Sequence, residues 1–216
     1  MRFNLMDNVV MRALSKICDM VFLNVLWVIC SIPIVTIGAS TTALYTVMLK
    51  IVRNEEGYIF RGFFKAFKEN FKQSTVIWLI IAVFSVLCWL DFRIAGMMGA
   101  GIGDVLRIIF MIVGFLLLSV TIYVFPLTAR YENKISATLK NALILTIAKL
   151  PYTVLMVAVV VVAVIASLWN TMTLMLAVPL WFLFGVSLIA WVNSYLLRRV
   201  FTVFEPEEDA QKEKEQ

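Results

Sequence analysis

The chain has 216 residues, 62% hydrophobic and 15% charged, with a formal net charge of +5. A soluble domain carries about a quarter charged residues, and a chain this short has too much surface for its volume to hide such an apolar excess in a water-soluble core. Histidine is absent, which excludes His-based nucleophilic catalysis and His-ligated metal sites.

Residues 1–16 carry Arg2, Arg12 and Lys16 against Asp7. An uncharged run over residues 20–49 follows, long enough to cross the roughly 30 Å of hydrocarbon as a helix of about 20 residues. Further uncharged runs cover residues 73–90, 108–129 and 150–197. The last is long enough for two crossings, with a break at Trp169, Asn170 and Thr171. Backbone polar groups in lipid must be bonded within the segment, so the runs predict helices. The expected fold is an all-α polytopic transmembrane helix bundle in one domain over residues 1–204. It has about five spans, at residues 17–37, 74–94, 105–126, 151–168 and 173–196. Residues 40–52 read as a partly buried or interfacial helix, or as a short sixth span. Residues 205–216 (EPEEDAQKEKEQ) read as a solvated, disordered tail.

Loop charges set an orientation. Lysine and arginine crowd residues 50–72, 127–149 and 198–199, whereas residues 95–104 and 168–173 contain none. The basic side is expected to be cytoplasmic, with the C-terminus there and the protein in the cell membrane. Five spans would put the basic N-terminus outside, and six would bring it inside.

Three groups of residues are candidates for function. Within the helix at residues 58–73, Phe60, Phe63, Phe64, Phe67 and Phe71 recur at helical spacing on one face. Arg61, Lys65, Lys68 and Lys72 form a stripe beside them. Such a helix suits a headgroup layer with anionic lipid, or a cytoplasmic protein partner. It does not suit nucleic acid, because its basic residues are few and no separate domain presents them. The second group is an elbow at residues 31–45. Pro33 can stop a helix, and Gly38 can redirect the chain. Ser40, Thr41 and Thr42 can cap the next helix, and Thr36 and Tyr45 complete the motif. The third is Asn24 and Asn193, which lie in apolar runs where asparagine bonds across helices.

The sequence supplies no catalytic, cofactor-binding or metal-ligating set. The three cysteines, Cys18, Cys30 and Cys88, form no CxxC pair and read as packing residues. The glycine-rich residues 96–103 lack the Lys-Ser/Thr of a phosphate loop. No acidic or basic residue occupies a span centre, which argues against ion-coupled transport. A weak echo links residues 64–75 with 139–152, each a lysine-bearing helix leading into a span.

The block CSIPIVTIGASTTALY (residues 30–45), with FFKAFKENFKQS (residues 63–74), Leu139-Lys-Asn-Ala-Leu and Leu150-Pro-Tyr152, resembles the YesL-like family of bacterial membrane proteins of unknown function. The resemblance implies a Gram-positive-type bacterium and a multi-pass plasma membrane protein, often encoded beside carbohydrate ABC-transporter components. It carries no catalytic residues. The chain also lacks the glycine-centred coupling-loop pattern of ABC permeases. The expectation is a non-enzymatic accessory or regulatory subunit linked to carbohydrate ABC transport, with membrane lipid and a permease or other membrane subunit as partners. The alternative is a small carrier or channel for a neutral solute, with Asn24, Thr121, Tyr123, Ser187 and Asn193 lining its path.

Overall fold

The computed structural model describes residues 9–53, 55, 57–99 and 101–201, with side chains from residue 14. The charged tail at residues 205–216, and the side chains of Arg2, Asp7 and Arg12, lie outside the described residues. Every regular element among the described residues is helical: α1 (Val9–Ser31), α2 (Ile37–Val52), α3 (Ile59–Ala95), α4 (Ile102–Arg130), α5 (Ile135–Ala148), α6 (Leu150–Leu168), α7 (Thr171–Leu180) and α8 (Val186–Phe201). A 3-10 turn at Ile34–Thr36 precedes α2, and a π-helical turn at Trp181–Gly185 joins α7 to α8. By length and composition, six segments can cross a membrane: Leu14–Ser31, Ile34–Val52, Ile59–Ala95, Ile102–Arg130, Leu150–Leu168 and Thr171–Phe201. The count is six where the sequence reading expects about five, and the difference lies wholly in Ile34–Val52.

Residues 40–52 are a partly buried helix, as one of the sequence alternatives has it. They form most of α2, whose buried residues include Ala43, Leu44, Tyr45, Met48 and Leu49, and α2 packs against α1, α3, α4 and α8. The expected first span at 17–37 is also cut short. Pro33 has no N–H to continue a helix, so α1 ends at Ser31 and the chain turns before α2. The turn is not made at Gly38, which lies inside α2. Gly38 is required instead by close packing: a Cβ there would collide with the Ser74 carbonyl and lie 2.6 Å from Trp78 Cβ. Ser40 and Thr41 do not cap α2 either. Their hydroxyls donate back to the carbonyls of Thr36 (3.0 Å) and Ile37 (2.7 Å), as hydroxyl side chains within a helix commonly do.

The Phe/Lys segment is continuous with the second span as the 37-residue α3. Its supposed echo is built differently. α5 ends at Ala148, ψ of 42° at Lys149 breaks the helical path, and α6 restarts with a proline in its first turn. The core sits toward the basic ends of the helices, where α2, α8 and the adjoining parts of α3 and α4 meet. The distal halves are less enclosed. In α4 the buried residues beyond Gly103 begin only at Ser119, and in α6 they are Thr153, Met156 and Val157. Among the described residues, α7 packs against α6 and the π turn, and against no other element. Two apolar hairpins, α3–α4 and α6–α7, therefore stand out from the core as arms. Val83, Val86, Met111, Val162 and Met175 on them are all exposed.

Candidate functional site

Asn24 meets the last helix run where its regular bonding fails. Pro179 lies inside α7 and cannot donate, and the π turn follows two residues later. Asn24 Nδ2 donates to the carbonyls of Trp181 (3.0 Å) and Phe182 (2.7 Å), while its Oδ1 accepts from the Ser187 N–H (2.9 Å). One fully buried amide thus serves three backbone groups that a π turn leaves poorly matched. The Trp181 ring lies over Gly185, where a Cβ would overlap it, and its indole N–H donates to Ser167 Oγ at 2.8 Å. The clamp joins α1, α6 and the α7–α8 run.

Asn193 is placed differently. It is fully buried on α8, facing the buried Tyr45 hydroxyl of α2. No hydrogen bond to either of its amide atoms falls within ordinary distance and angle limits, and the neighbouring Ser194 hydroxyl is also without one. Among the described residues, the buried Ser31 and Thr75 hydroxyls are likewise without one, while other buried polar groups bond between elements. Thr42 Oγ1 and Ser74 Oγ bond at 2.8 Å between α2 and α3. Tyr123 bonds Thr153 Oγ1 at 3.0 Å, and Thr153 in turn reaches the carbonyls of Thr146 and Lys149, both at 3.1 Å. That network ties α4 to the α5–α6 corner.

The elbow residues form a tied turn. Thr36 Oγ1 lies 2.6 Å from the Cys30 carbonyl and 2.7 Å from that of Pro33. Trp27 Nε1 donates to Thr41 Oγ1 at 3.1 Å, and Trp78 Nε1 donates to the Ile34 carbonyl at 2.8 Å. Gly38, Ser40, Thr42 and Tyr45 are buried on α2, while Ile32 and Ile34 at the tip are exposed.

The five phenylalanines do not present one open face. Phe63 is fully buried in the core, Phe64 and Phe67 are half-buried against it, and Phe60 and Phe71 are exposed. Their rings touch in sequence, with centroids 4.8 Å apart for Phe60–Phe64 and 5.5 Å for Phe67–Phe71. Arg61, Lys65, Lys68 and Lys72 are exposed, with Lys65 3.9 Å from Glu69 and Arg61 over the Tyr58 ring. Among the described residues, no group of His, Cys, Asp or Glu could hold a metal ion. Ser74, Trp78 and Thr153 each bridge elements, and single polar residues beside apolar ones give no spacing signal for that.

Comparisons with known proteins agree with the sequence resemblance. Residues 20–92, which hold most of α1, the elbow, α2 and most of α3, match the family described as protein of unknown function, DUF624. The chain is 28% identical over 155 residues to the uncharacterized protein YteU of Bacillus subtilis (strain 168), covering 70% of this chain and 69% of YteU. It is 29% identical over 162 residues to the uncharacterized protein YesL of the same organism, covering 71% of this chain and 76% of YesL. No solved structure matches.

Proposed function

The chain is YesL-like, and on that premise we propose that it is a non-enzymatic accessory subunit of the cell membrane, linked to a carbohydrate ABC transporter, with its basic face and C-terminus in the cytoplasm. The observation carrying this reading is the pair of apolar arms, α3–α4 and α6–α7. Each carries a long run of exposed large apolar side chains. Lipid covers such faces, and so does a transmembrane helix of a permease, since helices associate in lipid through close packing. The link to carbohydrate transport rests on the family resemblance alone.

The carrier alternative is less favoured. Asn24, Ser187 and Asn193 are each 0% exposed, so a water path lined by them would have to be opened first. Asn24 and Ser187 also bond each other. The test is capture of an affinity-tagged chain from its native membrane in mild detergent. Enrichment of permease or ATPase subunits, with altered sugar uptake after deletion of the gene, is the expected result. Isolation of the chain alone, with unchanged uptake, would overturn the proposal.

A further inference from the structure

α1 and α2 qualify as crossings by length and composition, yet their neighbours place the turn between them at an unexpected depth. Ser74 and Trp78 of α3 pack on Gly38, at the start of α2, and Gly62 of α3 packs on Val47 near its end. α2 therefore runs antiparallel to the half of α3 that bears Arg61, Lys65, Lys68 and Lys72. It does not run beside the half that continues to Ala95. The Ile34 carbonyl is bound by Trp78, which lies six residues beyond Lys72 and thirteen before Asp91. At 1.5 Å per residue, the elbow is about 9 Å inside the last lysine of α3 and about 20 Å short of its next charge. That depth falls within a hydrocarbon layer of roughly 30 Å. α7, which continues to the bare end of the last helix run, touches neither α1 nor α2 among the described residues.

The bonding of the elbow suits the same place. The Cys30 carbonyl lies within reach of the Thr36 hydroxyl, the Pro33 carbonyl accepts the Thr36 N–H, and the Ile34 carbonyl accepts the Trp78 indole N–H. Turn carbonyls in water need no such partner, whereas in lipid an unmet carbonyl is costly. The tip around them is uncharged, and Ile32 and Ile34 are 75% and 72% exposed. That leaves large apolar surface with none of the described residues over it.

We infer that the elbow is a lipid-contacting site inside the bilayer: α1 and α2 form a re-entrant hairpin that enters from the basic face and turns among acyl chains. Four crossings remain, α3, α4, α6 and the α7–α8 run. The inference is independent of any transporter link.

The experiment places a nitroxide at Ile34→Cys, Tyr58→Cys and Met98→Cys, each in a chain whose Cys18, Cys30 and Cys88 are replaced by alanine, reconstituted in phospholipid vesicles. All three test positions are exposed in the fold. Oxygen concentrates in hydrocarbon and a nickel chelate stays in water. The expected oxygen-to-nickel relaxation ratio is several-fold higher at position 34 than at 58 and 98. A ratio at 34 equal to that at 98 would overturn the inference. In native membranes, Ile34→Cys should react with a polar maleimide only after SDS denaturation. Labelling as fast as that of Met98→Cys would also overturn it.

Discussion

Asn24 and Asn193 look alike in the sequence, each a lone asparagine in an apolar run, and they differ in what they do. Asn24 serves three backbone groups, and Asn193 faces the Tyr45 hydroxyl without a bond of ordinary geometry. Replacing Asn24 by leucine keeps the branched shape and strands two carbonyls and one N–H, at a cost of about 2–3 kcal/mol. For a chain of this size that lowers the unfolding midpoint by roughly 4–12 °C. Asn193→Leu removes a buried amide that gains little from its surroundings, so its midpoint should stay level or rise. Thermal unfolding in detergent, followed by circular dichroism, separates the two. A similar fall for both variants would mean that Asn193 is bonded after all. Gly38 makes a second residue-scale case. Gly38→Ala places a methyl against the Ser74 carbonyl, for a loss of about 1–3 kcal/mol from overpacking. Gly57→Ala, which meets nothing within 4 Å, should leave stability unchanged in the same assay.

At the scale of elements, the helical spacing of the five phenylalanines gives the helix and its apolar stripe correctly, because periodicity is local. It does not say what covers the stripe. α2 covers Phe63, and α2 comes from a stretch that the charge pattern leaves ambiguous. Hydropathy counts burial in protein and burial in lipid alike, so a short helix enclosed by α1, α3, α4 and α8 reads the same as a short span. The helix stop at Pro33 is legible for the reason that proline lacks a donor. The purpose of Gly38 is not, because the atom it avoids is on α3, thirty-six residues away. The bridging roles of Ser74, Trp78 and Thr153 are invisible for the same reason. The two ends of the stripe give a direct check. Phe63→Ala should cost about 3–5 kcal/mol as a buried aromatic loss. Phe60→Ala, at a site 55% exposed, should cost far less. Equal and small effects would return the stripe to a docking face.

At the scale of the whole molecule, the basic loops and the apolar arms belong to opposite ends of one arrangement. The charge pattern is cleanest as a topology when the α1–α2 hairpin begins and ends on the basic face. That satisfies both the basic N-terminal segment and Lys50–Arg53 without forcing α2 to span. The core then lies toward the basic side, and the arms reach the bare side with their apolar faces open. If those faces hold a permease helix, bulk added there should harm association and spare the fold. Val86→Trp on α3 and Met175→Trp on α7 alter residues that are 56% and 70% exposed, where substitutions commonly change stability by under about 0.5 kcal/mol. Together they are expected to lower capture of the transporter subunits about tenfold, the effect of about 1.4 kcal/mol in binding, with the unfolding midpoint unchanged. Unchanged capture would move the contact away from the arms. The exposed lysine row of α3 would then be the next surface to test, through Lys65→Gln, Lys68→Gln and Lys72→Gln.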